Sequence, residues 1–245
     1  MKQVLLAVAA CMATLLPYAQ TRVSDHNDIG WFTTTITPRI TSKLSGHIEY
    51  QWRRDNIVTD WQQSLLRIGL NYKIHPQVTL HAGYGWIVTF PYSEHQLSAV
   101  PRSFGERRIY EQVVVNSTVG KASLSHRFRL EQRWLAKYNS LEAHQPDTYT
   151  YLNRIRYMPR LDVPLNKHLF AALYDELFIG FGKNLGENVF DQNRLGILMG
   201  YKFNNNIRIE AGFLNQIVQL SREIDGKNAF QYNSGVIVNT HFNLF

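Results

Sequence analysis

Hydrophobic and polar residues alternate along most of this chain, and three stretches show it without interruption. Leu66, Ile68, Leu70 and Tyr72 oppose Arg67, Gly69 and Asn71. Val78, Leu80, Ala82, Tyr84, Trp86, Val88 and Phe90 oppose Thr79, His81, Gly83, Gly85 and Thr89. Leu195, Ile197, Met199, Tyr201 and Phe203 oppose Arg194, Gly196, Gly200 and Lys202. A period of two places alternate side chains on opposite faces of a β-strand. The pattern predicts strands over residues 43–54, 62–72, 78–90, 106–117, 122–135, 148–158, 168–180, 192–203, 207–218 and 230–245, with a weaker one over 31–41. Most of them run 11 to 15 residues. Strands in soluble proteins usually have about 5 or 6, whereas a tilted strand that crosses a bilayer needs about 9 to 11.

The connections alternate in length. Short ones fall near 41–42, 75–77, 119–121 and 204–206, and longer polar ones at 55–60, 91–105, 137–147, 181–191 and 220–229. Short periplasmic turns alternating with longer extracellular loops are the signature of an outer-membrane barrel. Eleven strands conflict with the even number found in bacterial single-chain barrels. Either 21–30 hides a further strand, making about 12, or 31–41 lies outside the wall, making 10; twelve is the preferred count. One segment departs from alternation: "LFAALYDELFIG" (169–180) is oily on both parities and puts Asp175 on one face and Glu176 on the other. A bulge that re-aims one carboxylate, or packing against something inside the barrel, would account for it.

Alternation alone does not separate a barrel in lipid from a secreted β-sandwich, but three further features do. Trp52, Trp61, Trp86 and Trp134 map to the loop side of the oily rows, where an aromatic girdle would meet the head groups. The last strand carries an oily row of Val236, Val238, Thr240, Phe242 and Leu244. It ends on Phe245, of the other parity, and an aromatic end suits engagement of the barrel-assembly machinery. Lipid cannot hydrogen-bond the backbone, so a spanning sheet must close on itself. The expected class is therefore all-β: a transmembrane up-and-down antiparallel β-barrel in the bacterial outer membrane, surrounded by outer-membrane lipids.

A chain of 245 residues suits a single barrel domain. "MKQVLLAVAACMATLLPYAQ" has Lys2, an apolar run over 4–16 and small residues near Ala19. That layout is a secretory signal peptide over 1–19, leaving a barrel domain over 20–245. Small residues before Cys11 leave a lipoprotein reading open, though its apolar run would end early and leave "MATLLPYA" unexplained. Cleavage after Ala19 removes Cys11, the single cysteine, and with it any disulfide. The formal charge of +7 is spread along strands, without a basic block. In an exported chain its counter-charges are anionic lipid head groups or a small anionic solute, not nucleic acid. After the signal no apolar run is long enough for a transmembrane helix.

Several stretches resemble a family of outer-membrane barrels known as domain of unknown function twenty-four ninety. They are "HRFRLEQRW" (126–134), "NRIRYMPRLDVPL" (153–165), "DELFIGFG" (175–182) and "FDQNRLGILMGYKFNNNIRIEAGFLNQ" (190–216). The resemblance extends more loosely to the Trp31 region. It implies an outer-membrane barrel and brings no activity, ligand or catalytic residue.

The charged positions supply the candidate site. Arg127, Arg129, Glu131 and Arg133 share one face of a strand, and Arg154 and Arg156 point the same way on the next. Guanidinium groups facing hydrocarbon would cost about 2 to 4 kcal/mol each at the midplane, so they must face a lumen. Glu131, Glu176, Glu210 and Glu49 are available partners. Two readings follow: paired side chains that fill a narrow barrel, or a weakly anion-preferring pore or pocket. Ser45, His47 and Glu49 alternate on one strand at intervals of about 6.8 Å, and a lipid-modifying hydrolase using them is the enzymatic alternative. They start after an inner turn and face the lumen, away from outer-leaflet lipid, so no catalytic residue is assigned. The nine histidines show no metal-ligand spacing, and no cofactor motif is present. The expected function is a narrow channel, solute-uptake or structural component of the outer membrane, with a soluble binding module as a further alternative.

Overall fold

The computed structural model describes residues 22–185 and 189–244. The expected signal peptide and Phe245 lie outside the described residues. Eleven strands are found among them. They are β1 (Val23–Pro38), β2 (Leu44–Asp55), β3 (Asp60–His75), β4 (Val78–Thr89), β5 (Phe104–Val119) and β6 (Ala122–Lys137). The rest are β7 (Thr148–Pro164), β8 (Leu169–Phe181), β9 (Phe190–Lys202), β10 (Ile207–Ile224) and β11 (Lys227–Leu244). Consecutive strands pair antiparallel, and β1 meets β11 to close the barrel.

The expected even count gives way to eleven for a topological reason. An even number is required only if every seam is antiparallel, and here β1 and β11 pair in parallel, from Val23 opposite Ala229 to Pro38 opposite Leu244. Of the segment 21–30, the described part from Val23 is not a separate strand, because Val23–Pro38 runs unbroken. Its first half shows no oily row because the outward positions Ser24, His26 and Asp28 are polar, as are the hydrogen-bonded inward positions Asp25 and Asn27.

At one end of the barrel the connections are 39–43, 76–77, 120–121, 165–168 and 203–206. The other end carries 56–59, 90–103, 138–147, 182–189 and 225–226. The expected long loop over 220–229 is instead a two-residue turn at Asp225 and Gly226, with φ of 51° and 69°. Left-handed conformations at both positions define the hairpin turn that "DG" favours, so β10 and β11 project beyond the neighbouring wall.

Alternation sorts the side chains as expected. On β9, Ile197 on the outer wall is 54% exposed while its neighbour Leu198 is 1% exposed inside. The doubly oily segment on β8 is resolved by an apolar cluster inside the barrel, formed by Ile29, Trp31, Phe170, Tyr174, Leu198, Leu214 and Ile237. Phe170, Tyr174, Glu176 and Phe178 point inward, and Leu169, Leu173, Asp175 and Leu177 point out. Asp175 accepts a hydrogen bond from Asn193 Nδ2 at 2.7 Å on the outer wall. A bulge is present, but on β9 and not β8. Phe178 pairs with Gln192 and Ile179 with Phe190, which leaves Asp191 as the extra residue. The bulge turns the Asp191 carboxylate inward, off its strand parity.

Glycines on the inner wall of β9 make room for rings. Tyr174 lies opposite Gly196 and Phe170 opposite Gly200. A Cβ at either glycine would enter the facing ring. Gly85 instead borders an arginine stem, that of Arg67.

Gly196→Val is expected to destabilise the barrel by about 1–3 kcal/mol through overpacking. Gly105→Ala, where a Cβ meets nothing within 4 Å, should leave stability unchanged. Urea unfolding in detergent, followed by tryptophan fluorescence, reads both.

Candidate functional site

Strands β5 to β9 bring the inward charges together across the lumen. Glu131 is 0% exposed. It accepts from Arg154 Nε at 3.0 Å and Nη2 at 2.5 Å, and from Arg156 Nη1 at 2.6 Å. Arg108 and Arg129 stand 3.4 and 3.8 Å from the same carboxylate. Glu176 takes Arg127 at 2.5 Å and Arg156 at 2.6 Å. Glu106 is gripped by Arg108 at 2.6 Å and by both Nε and Nη2 of Arg133, at 2.8 and 3.0 Å. The bulged Asp191 bonds Arg154 and stands 3.6 Å from Arg133. Glu210 belongs to a second group nearer the short-turn end, held by Arg160 Nη1 at 3.0 Å and Nη2 at 2.6 Å.

The nine charged positions singled out from sequence face inward: seven of them join one network, Glu210 joins the second group and Glu49 pairs with Arg67. Glu106, Arg108, Asp191 and Arg160 were missed. Arg107 and Arg108 are adjacent and of opposite parity, so only the register tells which one enters the lumen. Asp191 enters through a bulge that no periodicity reveals. Buried aromatic rings carry the guanidiniums: Arg154, Arg156 and Arg194 lie 4.9, 4.3 and 4.5 Å from the Phe178 centroid. Arg129 lies 4.4 Å from that of Tyr110. Such contacts partly replace lost hydration.

Trp52, Trp61, Trp86 and Trp134 sit near the loop ends of their strands on the outward parity. They pack edge-on or tilted against one another or against neighbours: Trp52 with Trp61 at 6.2 Å, Trp86 with Tyr84 at 4.6 Å and Trp134 with Tyr151 at 5.2 Å. Trp31 is different, since it lies inside and donates from Nε1 to Gln62 Oε1 at 2.6 Å.

Ser45, His47 and Glu49 do face the lumen, but they do not form a relay. The Ser45 hydroxyl accepts from Asn71 Nδ2 at 3.2 Å. His47 lies edge-on to His81 at 4.7 Å, with Nε2 3.4 Å from Glu49.

The connection 90–103 folds into the loop end of the barrel and crosses to the β1/β11 seam. Ser93 Oγ donates to Asp25 Oδ2 at 2.6 Å, and the His95 backbone N–H donates to the same oxygen at 2.6 Å. His95 Nδ1 is 2.7 Å from Asp25 Oδ1. Gln231 Nε2 donates to the His95 carbonyl at 2.6 Å. Tyr92 is buried, and desolvation pushes its hydroxyl up to about 12, so it remains protonated and donates a hydrogen bond to Gln231 Oε1 at 2.8 Å. Asp25, Glu94 and His95 bring potential metal-ligand atoms within 4.8 Å of one another, a grouping that their separation in sequence concealed. The Asp25 oxygens in it are already engaged by Ser93 and His95. Beneath this loop is a cavity of about 290 Å³, lined by Tyr92 and Leu97 above and by Arg53, Arg67, Arg108 and Arg194 below.

Fold and site together define a closed β-barrel with an apolar outer wall and a charged, ring-lined lumen capped by one inserted loop. The chain belongs to the family described as protein of unknown function (DUF2490), whose model matches residues 29–227. No curated protein matches it. Among solved structures, one described as NanC porin in a rhombohedral crystal form is similar at 12% identity, covering 88% of this chain and 98% of that one with a TM-score of 0.49.

Removing one partner of a buried, multiply bonded ion leaves the others uncompensated. Glu131→Gln should therefore cost on the order of 3–5 kcal/mol, measured by urea unfolding of the detergent-folded protein. Asp25→Asn should release the inserted loop, and faster proteolytic nicking within 90–103 with an intact barrel is the expected result.

Proposed function

We propose that this protein is an integral β-barrel of the bacterial outer membrane, with its short turns toward the periplasm and its longer connections outside. We propose further that it acts as a narrow, anion-favouring conduit or binding vestibule for small solutes. The observation that carries this reading is the contrast between the two faces of the wall. Large apolar side chains such as Ile68, Leu70, Leu80, Phe128, Leu173 and Ile197 are exposed outside, while the guanidiniums lie within. Monomers in water rarely expose a continuous apolar patch beyond a few hundred Å², whereas a bilayer requires one. The outward tryptophans near the loop ends fit an interfacial girdle.

The lumen favours a narrow conduit over a wide diffusion pore. Glu131 and its arginines fill one side, and the apolar cluster with Phe170, Tyr174 and Leu214 fills the other. Arginine outnumbers carboxylate along the inner wall, which sets the preference for anions.

Purified protein should need an amphiphile to stay monodisperse and should show heat-modifiable migration on a gel. In planar bilayers it should give a small conductance whose reversal potential in a salt gradient reports anion preference, weakened by Arg129→Glu. Monodispersity in plain buffer would remove the membrane assignment. Absence of conductance in correctly folded protein, or cation preference, would remove the conduit.

A further inference from the structure

Most inward guanidiniums reach a carboxylate at hydrogen-bonding distance, but two at the cavity under the inserted loop do not. Arg53 is 3% exposed and donates to neutral amide oxygens: Gln51 Oε1 at 2.9 and 2.5 Å, and Gln63 Oε1 at 2.7 Å. Among the described residues no carboxylate forms an ion pair with it. Arg194 donates from Nη2 to Gln192 Oε1 at 2.8 Å. Its Nη1 stands 4.0 Å from Glu176, and its Nε has no hydrogen-bond partner. Both guanidiniums lie over the same indole, 3.6 Å and 4.7 Å from the Trp31 centroid.

A third donor converges there. Gln62 is 1% exposed. Its Oε1 is held by the Trp31 indole, which fixes the amide orientation, and its Nε2 has no partner. Gln62, Arg53 and Arg194 all line the cavity of about 290 Å³. Two like charges and an orphaned amide, buried around one ring, are costly unless an acceptor sits among them. The cation–π contacts hold the cations in place without neutralising them.

We propose that this cavity binds a small hydroxylated organic monocarboxylate, a ligand class that rests on the anion-favouring reading of the lumen. The carboxylate bridges the guanidiniums of Arg53 and Arg194 and accepts from Gln62 Nε2, and the body of the ligand lies beneath Tyr92 and Leu97. Paired charge-assisted hydrogen bonds from arginine suit the planar carboxylate. The volume is at the small end of ligand pockets and exceeds what a bare inorganic ion needs. Hydroxyl and amide groups of Thr89, Ser98, Gln216 and Ser221 share the lining and match a hydroxylated body. Glu106 and Asp191 also line it, so a second negative group on the ligand would be repelled and a single charge is selected.

The test uses the full barrel folded in detergent, with gluconate, its uncharged counterpart sorbitol and inorganic phosphate as probes, titrated by calorimetry and by tryptophan fluorescence. Gluconate should bind saturably and the other two much more weakly. Arg53→Gln and Arg194→Gln should each weaken gluconate about tenfold, the loss of one charge-assisted hydrogen bond. Both variants should keep heat-modifiable migration, because neither side chain is part of a tight ion pair. Gln62→Leu provides a third variant, without a change of charge, and should also weaken binding. No gluconate binding to folded wild type, equal binding of sorbitol or phosphate, or unaltered affinity in all three variants would overturn the proposal. Anion-selective conductance without gluconate binding would sink this site and leave the conduit standing. Binding without conductance would do the reverse.

Discussion

An outer wall that is mostly apolar leaves every inward charge only the lumen in which to find a partner. This constraint organises the rest of the structure. A closed sheet satisfies the backbone and has no edge, so the remaining electrostatic problem is internal. The solution is a set of carboxylates that each serve several guanidiniums: Glu131 serves Arg108, Arg129, Arg154 and Arg156. Arginine suits the task because its fork donates in several directions at once and its flat cation can lie on an aromatic face. Phe178 and Tyr110 provide those faces.

The interior is thus divided. Strands β5 to β7 contribute most of the ion-pair network, while β1 and β8 to β11 contribute an apolar cluster around Trp31, Phe170 and Leu214. Glycines on β9 let Phe170 and Tyr174 lie flat against the wall, which keeps the rings from crossing the lumen. Between the two halves, near the loop end, lies the cavity, and the 90–103 connection closes over it. The inserted loop is held chiefly through one carboxylate, Asp25, and one amide, Gln231. Polar residues at the opening of β1 therefore serve closure of the mouth, and the wall there is held by its backbone pairing.

Much of this was legible in the sequence because period-two alternation is strong where one face meets an apolar surround. The strands, their faces and the inward arginines of β6 and β7 all follow from that single signal. Where the inner face is itself apolar, alternation disappears, and in "LFAALYDELFIG" only the Glu176 charge marks the inward parity, which Phe170, Tyr174 and Phe178 share. Asp191 was hidden because a bulge breaks the very periodicity used to place side chains. The turn at Asp225 and Gly226 was overlooked among polar neighbours although its dipeptide is a strong hairpin signal. Local pattern counts eleven strands, and the even-number rule moved the preferred count to twelve because a parallel seam depends on pairing between the two ends of the chain, which local pattern does not encode. The partners Asp25 and His95 meet for the same reason, through a loop that crosses the barrel mouth.

The charged interior also fixes which way each strand faces. A slip of one residue exchanges the two faces of a strand. For β6 it would move Arg127, Arg129, Glu131 and Arg133 to the outer wall, away from their partners, and in the proposed membrane placement it would cost about 2–4 kcal/mol for each cation near the midplane. Strands of the network therefore carry their own register in their charges. The seam strands lack that device, since β1 and β11 present few charges to the lumen. Their register rests on amide pairing, Asn27 Nδ2 to Asn233 Oδ1 at 2.8 Å between directly opposed positions. It rests also on the close approach of Gly235 to the Ile29 backbone, where a Cβ would collide with the carbonyl. From Asn233 the amide chain continues through Gln216 and Gln192 to Arg194. The side chains that align the seam thus also orient one of the two uncompensated cations at the cavity, which ties the geometry of closure to the geometry of the site.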